Sequence, residues 1–214
     1  MEDWRLVHSG VLEVKIYLIG DPMNIGCFAR YTYSGNWTKG ILCPRCQHGT
    51  SALVPPLLLE WEEGSDVLGD VSWAGGSFRP VVTEAARRAL TFLNTDVEWG
   101  GVRVVPPERK RVRQKRIPFP YNGPPLFFII PRHRVFIDRE QAESVLCPEC
   151  GEYDGPTLLS NVSLRRIEVG PHRLFRLAEN GRANAIFIAE DAAQQFQEAN
   201  LQNVALIEAG EICD

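Results

Sequence analysis

The sequence lacks the long hydrophobic runs that a membrane-spanning helix requires. Its most apolar stretches, LVPPLLL (53–59) and LFFII (126–130), are far shorter than the roughly 20 residues needed to cross a bilayer. The first ten residues, MEDWRLVHSG, also lack the basic start and the apolar segment of a secretory signal. We therefore expect no membrane association and a cytoplasmic location, where cysteines stay reduced.

An excess of positive charge is also missing. The formal net charge of −4 at pH 7 argues against a surface built as a whole for nucleic acid. One local run is basic, because seven of the residues between 103 and 116 are Arg or Lys. Phe119 and Tyr121 follow that run and are residue types that stack on bases. The same run is also typical of a charged strand at a sheet edge.

No catalytic motif is present. The sequence contains no GxSxG, P-loop or Rossmann pattern. Asp96 and Glu98 alternate on a predicted strand, which is too little to indicate a catalytic carboxylate pair. The histidines have no metal-binding neighbour in the sequence, and we expect them to be surface residues or locally hydrogen-bonded: His8, His48, His133 and His172. The sequence therefore predicts neither an enzyme nor a small-molecule substrate.

The pattern of apolar residues predicts an α+β fold, with a mostly antiparallel sheet and few helices. Residues 11–19, VLEVKIYLI, alternate as in a strand. A helix is expected after Thr83, which is a good N-cap. The chain should end as strand, helix and strand, with LFRLA (174–178) before that unit, AIFIA (185–189) as its first strand, a helix capped by Glu190 or Asp191, and VALIEAG (204–210). We expect one domain over 1–214, with 50–140 as an inserted lobe.

What the sequence does contain is a repeated cysteine motif. ILCPRCQHG (41–49) and VLCPECGEY (145–153) each hold Cys-Pro-x-Cys, and together they use four of the six cysteines. Two residues between cysteines let one tight turn present both sulfurs to one metal, and proline after the first cysteine favours that turn. The spacing predicts one zinc-ribbon-like site with the ligands Cys43, Cys46, Cys147 and Cys150. Cys27 and Cys213 are interpreted as small buried apolar residues.

Four thiolates leave no open coordination position on zinc, so the predicted site is structural rather than catalytic. Other interpretations remain open at this point. The cysteines could form two independent thiol pairs, including a redox pair, or the site could have lost its metal. His48 could also replace one of the cysteines.

An acidic stretch, LEWEEGSDVLGD (59–70), offers a second candidate surface. Its carboxylates resemble the charges with which inhibitors of nucleases mimic phosphate, and its tryptophans resemble interface anchors. The competing interpretation is a solvated loop with two core tryptophans. The candidate partner-binding residues are Glu60, Trp61, Glu62, Glu63, Asp66, Asp70 and Trp73.

The two Cys-Pro-x-Cys motifs at 41–49 and 145–153, which we call the knuckles, are separated by a long insertion. This arrangement resembles the double-CXXCG motif family. The segment 173–210, RLFRLAENGRANAIFIAEDAAQQFQEANLQNVALIEAG, is similar to the ending of that family. The resemblance covers both knuckles and the last 45 residues, whereas 60–130 shows no match. Gln47 stands where the first motif of the family has glycine, Ala189 where a Ser or Thr cap is frequent, and Asn203 and Val204 where a glycine is common.

The family includes myxobacterial immunity proteins that protect against swarming-inhibition toxins exchanged between kin cells. The resemblance therefore implies an immunity protein of bacterial competition that binds a cognate protein toxin, without chemistry of its own. The alternative function is a zinc-ribbon regulatory protein that binds nucleic acid through 103–116. A thiol redox protein is a third possibility.

Overall fold

The computed structural model of the 214-residue chain describes residues 14–24, 26–33, 43–45, 55–74, 79–108, 113–137, 147–149, 159–177 and 185–213. The described part is mostly β-structure with three α-helices, which confirms an α+β fold dominated by sheet. The strands are β1 (Val14–Gly20), β2 (Tyr31–Tyr33), β3 (Leu57–Trp61), β4 (Val71–Trp73), β5 (Pro80–Thr83), β6 (Val97–Val104), β7 (Leu126–Pro131), β8 (Arg134–Val135), β9 (Val162–Arg165), β10 (Leu174–Leu177), β11 (Ile186–Ala189) and β12 (Ala205–Cys213). The helices are α1 (Glu84–Ala89), α2 (Arg166–Val169) and α3 (Glu190–Glu198), and a 3₁₀ turn spans Thr91–Leu93.

One sheet of six strands joins the beginning of the chain to its end. Its order is β8-β10-β11-β1-β12-β9, and we call it the terminal sheet. Strand β1 lies in the middle and pairs antiparallel with both β11 and β12. Buried residues occupy both faces of β1 towards its end, at Ile16, Leu18 and Ile19. The N-terminal strand is therefore enclosed by the last strand–helix–strand unit.

The second sheet is barrel-like and is built almost entirely from the segment between the knuckles. Its order is β2-β3-β6-β7-β5-β4, and we call it the barrel. A bridge between Tyr31 on β2 and Ala74 directly after β4 joins the first and last strands of this order. Most neighbours are antiparallel, whereas β3 and β6 run parallel. The bridge covers backbone groups that a sheet edge would otherwise expose.

One hydrophobic cluster draws side chains from both sheets and from helices α1 and α3, and we call it the junction core. Its buried members are Ile19, Val71, Trp73, Val82, Ala86, Leu90, Leu93, Val97, Ile129, Leu174, Ile186, Ile188, Ala192, Ala193 and Phe196. Two further clusters lie within the terminal sheet and within the barrel. The predicted insertion therefore shares a core with the ends of the chain.

The helices begin where local chemistry supplies a partner or a favourable charge. Thr83 caps α1 as predicted, because its Oγ1 accepts a hydrogen bond from the Ala86 amide at 3.2 Å. Helix α3 has Ala189 at its N-cap and no capping side chain, so the prediction that Glu190 or Asp191 caps it is wrong. Those two acids lie in its first turn, where the helix dipole favours negative charge. Among the described residues, no helix is long and apolar enough to span a bilayer.

Gly210 allows three strands to meet. It pairs with Ile16 of β1 at an irregularity in the register and with Val162 of β9 on the other side. Its φ of +155° is rare for other residues, and an added Cβ would overlap the carbonyl oxygen of Val162.

We expect Gly210→Ala to lower the free energy of unfolding by about 2–3 kcal/mol, because β9 must move away from β12. Gly101→Ala is the matched control, since an added Cβ there meets nothing within 4 Å. That control should be neutral or slightly stabilising, because alanine loses less entropy than glycine on folding. Urea unfolding followed by tryptophan fluorescence measures both. Equal effects of the two substitutions would contradict the assignment.

Candidate functional sites

The structure brings the first cysteines of the two motifs together. Cys43 Sγ lies 3.8 Å from Cys147 Sγ, although 104 positions separate the residues. Both cysteines are buried, with 6% and 3% of their surface exposed. Each is followed by a turn, at 44–45 and 148–149. Cys46 and Cys150 lie outside the described residues.

The separation of the two sulfurs fits shared coordination of one metal. Two thiolates bound tetrahedrally to zinc at about 2.3 Å lie about 3.8 Å from each other. A disulfide requires about 2.05 Å, so the observed distance does not describe a cystine. Two buried thiols held at this distance are therefore a suitable half of a four-thiolate zinc site.

The predicted acidic surface is largely engaged within the protein. The Glu62 carboxylate accepts a hydrogen bond from Thr32 Oγ1 at 2.8 Å. The Asp70 carboxylate accepts one from the Gln202 amide at 2.9 Å, which ties β4 to the turn before β12. Asp66 is exposed, with 45% of its side-chain surface accessible to solvent. Asp70 therefore has a structural role, and Asp66 is the most available of these acids.

The two tryptophans are core residues. Trp61 is 3% exposed and belongs to the barrel cluster, and Trp73 is fully buried in the junction core. Trp73 Nε1 donates a hydrogen bond of 2.7 Å to the Asn203 carbonyl. Neither ring has a surface to offer a partner. The expectation that they act as exposed anchors therefore needs correction, and the burial arises because both strands are enclosed.

The acidic stretch lies beside the described parts of the basic stretch, 103–108 and 113–116, whereas 109–112 lie outside the described residues. Parallel pairing of β3 with β6 aligns Leu57 with Val102, and the chains that follow remain neighbours. The Gly64 amide donates to the Lys115 carbonyl at 2.8 Å, and the Arg113 amide donates to Glu63 Oε2 at 3.3 Å. Lys115 Nζ lies 3.9 Å from the Asp66 carboxylate. Charges of opposite sign are thus interleaved, which weakens the case for nucleic acid on this surface.

A third group of residues was not predicted to be a site. Asp96 lies in the turn before β6, His133 joins β7 to β8, and His172 lies in the turn before β10. Their ligand atoms all lie within 4.8 Å of one another. His133 Nε2 is 3.6 Å and His172 Nδ1 is 3.8 Å from Asp96 Oδ1. The two imidazole rings stack, with centroids 3.3 Å apart and planes inclined by 14°.

The environment of His172 favours its neutral form. Burial lowers the pKa of His172, the neighbouring His133 lowers it further, and the Asp96 carboxylate acts in the opposite direction. A lowered pKa leaves the imidazole uncharged at neutral pH, which is the form that coordinates metals. The sequence predicts surface or locally hydrogen-bonded histidines, whereas His133 and His172 are partly buried and lie beside Asp96. His8 and His48 lie outside the described residues.

No local signal in the sequence could have revealed this group, because its members lie in three separate turns. The carboxylate of Asp96 also faces Arg173, whose Nε is 3.8 Å from Oδ2 and whose side chain donates to the Phe92 carbonyl. Only the pairing of both sheets brings these turns together.

No protein-family model matches the chain, and no curated protein matches it either.

Phenylalanine substitutions separate the roles of the two tryptophans. Both changes remove a buried indole, but only Trp73→Phe leaves the Asn203 carbonyl without its donor. Trp61 Nε1 has no hydrogen-bond acceptor among the described residues. We expect Trp73→Phe to be more destabilising than Trp61→Phe by about 1–2 kcal/mol. Urea unfolding of both variants, followed by far-ultraviolet circular dichroism, measures the difference, and a larger loss for Trp61→Phe would refute it.

Proposed function

We propose that the protein is an immunity protein that binds a cognate toxin and blocks it by occlusion. The observation that carries the proposal is the 3.8 Å separation of Cys43 Sγ and Cys147 Sγ. It supports one shared site for the two knuckles, which is the feature that resembles the double-CXXCG family. The inference that the partner is a toxin comes from this resemblance.

In this proposal the zinc ligands are Cys43, Cys46, Cys147 and Cys150. The metal supplies a cross-link between the segment after β2 and the segment before β9. Zinc bound to thiolates contributes about 10–16 kcal/mol in small finger peptides, whereas loop closure costs only a logarithmic entropy term. The site therefore stabilises the frame that carries the binding surface and leaves no position for a substrate.

The binding surface that we propose lies beside β3, where the charged stretches meet. Asp66 is exposed and Glu60, Glu62 and Glu63 are partly exposed. Val67 is 50% exposed next to Asp66 and adds apolar area to the same segment. Interleaved charges of this kind favour specificity and encounter rate. Trp61, Trp73 and Asp70 support the surface from within and do not touch the toxin.

Metal analysis tests the cysteine site. The purified chain should hold about one zinc, and Cys43→Ser or Cys147→Ser should remove it and destabilise the protein by at least about 3 kcal/mol. Cys27→Ser is the control, because Cys27 lies elsewhere in the fold and is exposed, which corrects the interpretation of Cys27 as a buried residue. Metal content and thermal unfolding are measured on the same samples. A metal-free protein whose thiols cycle at mild potential would instead support a redox function.

Co-purification with the product of the adjacent gene tests toxin binding. We expect this chain and that gene product to form a complex. We also expect the chain to protect cells that express the gene product. Asp66→Asn combined with Glu63→Gln should weaken the complex at least about tenfold, mainly by slowing association. Asp191→Asn, an exposed acid on α3, is the matched control and should have no effect.

Two outcomes would contradict the proposal. One is the absence of binding by the zinc-loaded, full-length chain. The other is a shift of labelled RNA with steep salt dependence, which would assign the basic stretch to nucleic acid. The zinc measurement does not depend on the partner. A negative result for toxin binding therefore leaves the result for the cysteine site interpretable, and the reverse also holds.

A further inference from the structure

The group of Asp96, His133 and His172 is held by backbone contacts from both sheets. The Asp96 amide donates to Leu93 and its carbonyl accepts from Arg132, each at 2.9 Å. The His133 carbonyl accepts from Arg176 at 3.1 Å, and the His172 amide donates to Val169 at 3.3 Å. The three side chains therefore project from fixed turns rather than from long loops.

The two oxygens of the Asp96 carboxylate have different surroundings. Oδ2 accepts a hydrogen bond from Thr95 Oγ1 at 3.0 Å and faces the Arg173 guanidinium. Oδ1 accepts a long hydrogen bond of 3.4 Å from the Arg173 amide and faces both imidazoles. Its distances to the ring nitrogens, 3.6 and 3.8 Å, exceed hydrogen-bond reach. An oriented carboxylate with one oxygen turned towards two histidines is typical of a metal ligand with its supporting shell.

We propose that Asp96, His133 and His172 bind a divalent transition-metal ion, with at least one coordination position left open. Two nitrogens and one oxygen suit Zn²⁺, Co²⁺, Ni²⁺ or Fe²⁺ rather than Mg²⁺ or Ca²⁺, which prefer oxygen ligands. Tetrahedral ligands at about 2.1 Å lie about 3.4 Å apart, so the two distances from Oδ1 to the ring nitrogens are within a few tenths of an ångström of that separation before the rings turn. The open position accepts water or a donor atom of a ligand.

Binding requires the two imidazoles to leave their stack, because the lone pair of each nitrogen lies in its ring plane. The histidine side chains are 26% and 33% exposed, which gives an ion access and gives the rings room to turn. Arg173 offsets the charge of Asp96 and so limits cation affinity, while it fixes the carboxylate. Arg173 is therefore a positioning residue, and the site differs from the cysteine site in its ligands and in its open position.

Cobalt titration of the untagged chain carrying a single equivalent of zinc, which four thiolates bind first, tests this proposal. We expect Co²⁺ to bind with about one equivalent and to give visible bands without thiolate charge-transfer absorption, which separates this site from the cysteines. His133→Phe and His172→Phe keep ring packing but remove a ligand, and each should weaken binding at least about tenfold. Asp96→Asn alters the third ligand, and Glu98→Gln is its matched control. Glu98 is an exposed carboxylate on β6, the strand that begins directly after Asp96.

Imidazole resonances of the wild-type chain provide a readout that does not depend on the folding of any variant. Addition of Zn²⁺ should shift the signals of His133 and His172 and remove the ring-current effect of their stack. Absence of cobalt binding, cobalt binding unaffected by the histidine variants, or unshifted resonances would overturn the proposal.

Discussion

The docking of the barrel onto the terminal sheet depends on Trp73. This fully buried side chain donates to the Asn203 carbonyl at 2.7 Å, and the Asn203 amide group donates to the Val71 carbonyl at 2.8 Å. The Val71 amide donates to the Gln202 carbonyl, so the turn before β12 covers the backbone of β4. Burial of an indole and these reciprocal bonds join segments 130 residues apart. The Asp96 group, whose members lie next to both sheets, needs this junction.

The topology of the barrel determines which charged residues neighbour the acidic and basic runs. In the sequence, 59–70 and 103–116 are separate stretches, and each suggests its own kind of partner. The parallel pairing of β3 and β6 places the acidic stretch next to the described parts of the basic stretch, 103–108 and 113–116, so that each partly neutralises the other. A charge run therefore indicates a partner only after its spatial neighbours are known. Exposed pairs such as Lys115 and Asp66 contribute little to stability, which leaves them available for recognition.

Local signals in the sequence identified local structure. Alternation placed β1, and Thr83 marked the start of α1, because both depend on contacts within a few residues. The closure of the barrel through Tyr31 and Ala74 depends on pairing between distant segments, which alternation does not encode. The same reason explains why the sequence indicates a partner for each cysteine motif and gives no sign of the Asp96 group. Two copies of one motif indicate in the sequence which segments share a site, whereas single residues in three separate turns form no recognisable pattern.

Both candidate metal sites link a segment next to the barrel with a segment next to the terminal sheet. Cys43 follows β2 and Cys147 precedes β9, while Asp96 precedes β6 and His172 precedes β10. An ion that binds only the folded arrangement stabilises it in proportion to the logarithm of its concentration relative to its dissociation constant. Metal would thus act on the same junction that Trp73 forms by burial. As proposed, a site closed by four thiolates would suit permanent reinforcement, and the Asp96 group with its open position would suit an ion that exchanges with its surroundings.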